Sequence, residues 1–256
     1  MFEIYPDIDE LITIALLNKS RRYKVAREIR NLDPNVNLDD LMKLIGIVAE
    51  DTDSIEFSEL GISLALLMEK MSNEKANELL ERLLSKEYGG MLTGIILGYT
   101  KKKFDKDLIF EIIRRLILSE NSETRLAGLN ALQSQYKNIG KEAVMDILAD
   151  IFSSSSSNVR RDIPIIISTI RGILDNKTFS ELLKRIAIED EEGFRAILNM
   201  IEEGILRIPN KILLDLAGII KSKGDRNLMD TFVKTVLNSN IKDKDKILRS
   251  LDVNTG

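Results

Sequence analysis

The stretch LIFEIIRRLILSENSETRLAGLNAL, residues 108–132, decides how this chain folds. Leu108, Ile109, Ile112, Leu116 and Ile117 recur at helical steps, and Leu126, Leu129 and Leu132 resume the pattern after a polar break. That spacing lines each set along one helix face, so the stretch predicts two helices joined by a turn. Neither helix hides its apolar face alone. Outward from here the same unit returns every 33 to 35 residues: Gly61, Gly94 and Gly128 stand 33 and 34 apart, while Arg125, Arg160 and Arg195 stand 35 and 35 apart. A period of that length predicts stacked helix pairs, each completing the apolar interior of the one before.

The expected fold is all-α, a single domain over residues 1–256 made of about seven stacked pairs. Approximate repeats fall at 7–35, 37–71, 72–100, 104–138, 139–174, 176–206 and 208–239, with a closing helix within 240–252. Local chemistry sets the ends. Asp7, with Glu10 three residues on, caps the first pair, and Thr178 with Glu181 is expected to cap the sixth. Leu32-Asp33-Pro34-Asn35 makes a turn, Asp51-Thr52-Asp53-Ser54 and Lys101-Lys102-Lys103 make loops, and the serines 153–157 make a solvated connector. Pro209 opens the seventh pair, where a missing N–H does no harm. The basic helix over 20–31 and the charged segment 242–249 supply polar ends to the stack.

Composition narrows the function. The chain is 44% hydrophobic and 30% charged, which suits neither a disordered nor a membrane-spanning protein. A net charge of −4 disfavours nucleic acid as the main partner. There is no Cys, hence no disulfide, thiolate zinc site or cysteine nucleophile, and no His for proton transfer near neutral pH. Abundant Ile, Lys and Glu without Cys fits a heat-adapted organism. The N-terminus lacks a secretory pattern and no uncharged apolar run reaches membrane-spanning length, so a cytoplasmic location and no membrane association are expected. No Gly-rich phosphate loop and no catalytic constellation stands out. The acidic run Glu189-Asp190-Glu191-Glu192 lacks the spacing of a calcium loop, and Asp51 and Asp53 fare no better. A non-enzymatic protein without metal or cofactor is the expectation.

Four dipeptides carry a family resemblance: Thr124-Arg125, Val159-Arg160, Phe194-Arg195 and, off the spacing, Asp225-Arg226. An Arg at the head of the second helix of each pair resembles the HEAT repeat, over nearly the whole chain. HEAT units also carry an Asp six residues before that Arg, where this chain has Ser119, Ser154, Glu189 and Ile220. The resemblance implies a right-handed superhelix whose second helices line its concave side. It also implies the work of such solenoids, which are scaffolds, adaptors and regulatory subunits that bind proteins.

Three sets of residues are candidates for contact. Arg125, Arg160, Arg195 and Arg226 form an inter-repeat column that either ties units together or grips acidic groups. Gly90, Gly94 and Gly98 make a stripe without side chains, either packed against a neighbouring helix or open to a partner. Arg21, Arg22, Lys24 and Arg27, with Lys101, Lys102 and Lys103, form a basic patch that keeps nucleic acid as the alternative partner. The expected contacts for a protein partner are polar residues on second helices: Asn130, Gln133, Arg160, Ser168, Arg171, Arg195, Asn199 and Glu202.

Overall fold

The computed structural model describes residues 5–50 and 55–251, apart from the side chains of Phe152 and Arg160. It is 78% helix with no strand among the described residues, so apolar side chains leave water only between helices. None of the described helices is long and apolar enough to cross a membrane. The chain divides into two compact units, residues 1–140 and 141–256.

The N-terminal unit holds α1 (Ile8–Leu17), α2 (Arg22–Glu28), α3 (Leu38–Val48), α4 (Ile55–Lys70), α5 (Asn73–Leu84), α6 (Gly89–Tyr99) and α7 (Lys106–Ile117). The first part of α8 (Ser122–Ser153) completes it. The expected second helix over 20–31 is shorter, because 3₁₀ turns at Lys19–Arg21 and Ile29–Asn31 flank α2. The acidic loop expected at 51–54 lies outside the described residues. Side chains close the helix starts: Asp7 accepts from the Asp9 N–H at 2.9 Å, Asn37 from Asp39 at 2.7 Å, and Asp105 from Asp107 at 2.9 Å. Each supplies an acceptor that a helix start lacks.

Packing follows two rows. α1 lies on α3 and α3 on α5, while α2 lies on α4 and α4 on α6. Each of these helices therefore meets its own mate and the corresponding helix of a neighbouring pair. The second-helix row continues to α8 through Gly94, where an added Cβ would stand 2.5 Å from the Ala127 Cβ. Two hydrogen bonds close the same seam, Ser134 Oγ to the Gly98 carbonyl at 2.8 Å and Gln135 Nε2 to the Leu97 carbonyl at 3.0 Å. Gly61 likewise faces Ile95 of α6, whereas Gly128 packs on Leu116 and Ile117 of its own mate α7, so the glycine period hides two different contacts. Within α8, Gly140 takes φ 86°, a conformation that side chains resist, and the helix breaks there.

The C-terminal unit repeats the plan. After the end of α8 come α9 (Ser157–Arg161), α10 (Ile163–Arg171), α11 (Asn176–Glu189), α12 (Glu191–Glu202), α13 (Asn210–Lys223), α14 (Arg226–Asn238) and α15 (Lys244–Ser250). α11 packs on α13 and α13 on α15; α10 packs on α12 and α12 on α14. Phe179, Phe194 and Phe232 are fully buried within it.

Three local expectations need correction. The second helix of the fifth pair is split into α9 and α10, because Pro164 lacks an N–H and begins a helix better than it continues one. Asp175, not Thr178, caps the sixth pair: its carboxylate accepts from the Lys177 N–H at 2.8 Å and the Thr178 N–H at 2.9 Å. Thr178 lies inside α11, buried, and donates its hydroxyl to Asp175 at 2.8 Å. The serine connector is also shorter than expected, since Ser153 closes α8 and Ser157 opens α9.

Candidate functional site

In the N-terminal unit the second-helix row does not close flush. Between α6 and α8 runs a furrow of about 530 Å³. Met91, Ile95 and Tyr99 line it from α6, and Leu126, Asn130 and Gln133 from α8. The glycine stripe shapes it, with Gly94 and Gly98 in its lining. An added Cβ at Gly90 would meet Thr124 Cγ2 at 2.8 Å, so Gly90 and Gly94 let the two helices approach closely. Gly98 differs, since its nearest neighbour would be the Asn130 Cβ at 4.0 Å, leaving that end of the furrow open. Leu126 was expected in the core stripe with Leu129 and Leu132. It is instead 44% exposed and faces the furrow, as does Tyr99 at 60%.

A second cavity of about 470 Å³ shares Met91 and Glu123 with the first, so the two lie side by side. Its other lining includes Gly46, Ala49, Glu50, Glu87 and Tyr88. Burial pushes the half-buried Tyr88 phenol above its usual value. Glu50 is held by Arg22 Nη1 at 2.6 Å. Glu87 and Glu123 are exposed and make no ion pair among the described residues. Among the described residues no Lys or Arg lines either cavity.

The basic patch is partly engaged by its own unit. Arg22 is buried, and its Nε donates to the Ala15 carbonyl at 3.2 Å. Arg27 lies over the Tyr23 ring at 5.9 Å and stands 3.8 Å from Glu59, which also binds Arg30. Lys102 Nζ donates to the Met71 carbonyl at 2.6 Å. Arg21, Lys24, Lys101 and Lys103 are exposed.

The equal spacing of the arginines does not give them equal places. Asn121 caps the second helix of the fourth pair, accepting from the Thr124 N–H at 2.9 Å, and Arg125 stands four residues after it. There it is 1% exposed, with Nη1 donating to the Ser119 carbonyl at 2.7 Å. Arg160 stands four residues after Ser156, which accepts from the Val159 N–H at 3.3 Å, but its side chain lies outside the description. Arg195 stands five residues after its cap Asp190, so the helix turns it about 100° further round. Phe194 takes the buried place, and Arg195 reaches Glu191 at 2.8 Å and Thr231 at 2.9 Å. Arg226 is the first residue of α14 and is exposed.

The expected partner contacts are thus distributed over both units. Asn130 and Gln133 share the furrow. In the C-terminal unit Ser168 and Asn199 are exposed. Arg171 lies 5.0 Å from the centre of the Phe179 ring and donates to Asn176 at 2.8 Å. Glu202 accepts from Asn238 at 2.8 Å, a bond from α12 to α14. Among the described residues no group of carboxylates converges to hold a metal ion.

Sequence reasoning missed Met91, Ile95, Tyr99, Glu87 and Glu123 as lining. The available signal was Leu126 beside Ala127, one residue out of phase with the buried stripe. No protein-family model and no curated protein matches the chain. Two crystal structures of engineered proteins are similar to it. One is 14% identical with TM-score 0.36, covering 96% of this chain and 71% of that one. The other is 16% identical with TM-score 0.32, covering 75% of this chain and 93% of that one.

Proposed function

We propose that this chain is a non-enzymatic protein-interaction module, a scaffold, adaptor or regulatory subunit of the HEAT-like solenoid kind, working in the cytoplasm. In this reading the helix pairs wind as a right-handed superhelix and the second helices face the partner. The observation that carries it is the furrow between α6 and α8, where small residues leave Leu126 and Tyr99 uncovered beside Asn130 and Gln133. Uncovered apolar anchors among polar neighbours suit a protein surface better than a reaction centre. The nucleic-acid alternative draws less support, because Arg22 and Arg30 are engaged by Glu50 and Glu59.

A peptide-display selection tests this reading. Wild-type protein should enrich binders that lose most of their affinity for Gly98→Leu, which fills the open end of the furrow where there is room for it. Binders indifferent to that plug, or no binders at all, would overturn the assignment of this face.

A further inference from the structure

Building on the interaction reading above, we propose that the partner segment is cationic as well as apolar. A large apolar side chain occupies the furrow beside Gly98 and Ala127, and Lys or Arg residues next to it in the same peptide meet Glu87 and Glu123. The two cavities share Met91 and Glu123, so the apolar seat and the carboxylates lie side by side. At about 530 Å³ the apolar part falls within the roughly 300–1,000 Å³ typical of ligand sites. Charge decides the class of occupant. Glu50 already has Arg22, whereas among the described residues Glu87 and Glu123 are exposed without an ion pair and no cation lines either cavity. Such a surface repels phosphate and acidic peptides and attracts basic ones, setting their direction along the furrow. Exposed carboxylates act through water, so the attraction weakens with salt while the apolar contact remains.

The test uses a short fluorescein-labelled peptide of Leu, Phe and Lys, its twin with every Lys replaced by Glu, and a labelled DNA duplex. Anisotropy is read at low and raised salt on wild type, Gly98→Leu and Glu87→Gln/Glu123→Gln, with a thermal melt confirming that each is folded. The Lys peptide is expected to bind at least ~10-fold tighter than its twin, and to lose ~10-fold on either variant. The double Gln variant preserves shape and surface exposure, so it reads charge even if the plug perturbs α6. Equal binding of the two peptides, both blocked by Gly98→Leu, would overturn the charge inference and leave the interaction reading standing. Binding of the Lys peptide unchanged on both variants would overturn it as unspecific attraction to an acidic protein. Failure of both peptides to bind would also overturn it, with the display selection then deciding the broader reading. Preference for DNA would overturn both.

Discussion

In the N-terminal unit α6 and α8 meet through Gly94 and Ala127, leaving an apolar furrow; in the C-terminal unit α12 and α14 meet through Arg195 with Thr231 and Asn238 with Glu202. Each seam belongs to the second-helix row of its own unit, and each joins neighbouring pairs. The difference lies in what fills the surface above the seam. Small residues bring backbones together and leave neighbours such as Leu126 uncovered, whereas long polar side chains span from helix to helix and engage one another. One fold can therefore present an open apolar furrow at one seam and side-chain hydrogen bonds across another. Side-chain size at a few positions makes the choice, and the helix plan stays the same.

The two arginines test that contrast most severely. Arg125→Ala should cost about 3 kcal/mol in urea denaturation, since it leaves a cavity and an unpaired Ser119 carbonyl inside the N-terminal unit. Arg195→Ala should cost at most about 1 kcal/mol, because its ion pair with Glu191 lies at the surface and Thr231 is only half-buried. Similar losses would mean that the one-residue shift in register makes no difference.

Glycines give the next largest effect, and opposite signs. Gly94→Ala should destabilise by about 1–3 kcal/mol by forcing α6 from α8. Gly98→Ala, with its nearest atom 4.0 Å away, should gain about 0.5–1 kcal/mol, as should Gly218→Ala in α13 of the C-terminal unit, where nothing lies within 4 Å. Thermal melts of the three variants check this, and a gain for Gly94→Ala would show that the close approach is not required.

The smallest effect concerns a cap in the C-terminal unit. Hydrogen bonds from the Thr178 N–H and hydroxyl hold the Asp175 carboxyl below its usual range. Its contribution is present above the ordinary carboxylate range and is lost as pH falls through the lowered folded value. Asp175→Ala should therefore lower Tm near neutral pH, with the gap to wild type closing below about pH 4. A gap that persists in acid would mean that the carboxylate charge contributes nothing.

Particular residues show what was legible. Ile109, Ile112 and Leu116 announced a buried face by spacing, and Asp7 announced a helix start by its chemistry; both are local properties of an α-helix. Thr178 misled because its pattern with Glu181 imitates a cap, while Asp175 three residues earlier offers a stronger acceptor. Asn130 and Gln133 were named for their polarity, but their neighbours in the furrow come from α6, some thirty residues earlier, and no local pattern joins them.

Helical periodicity, turn chemistry and repeat length were written into the order of residues, because each depends on neighbours within a turn or two of chain. Tertiary structure alone decided which uncovered face became a furrow, which arginine went inside, and which carboxylates kept no partner. Those outcomes depend on how far apart two helices settle and how each is rotated about its axis. A single residue of register, worth about 100° of rotation, moves a side chain from interior to surface.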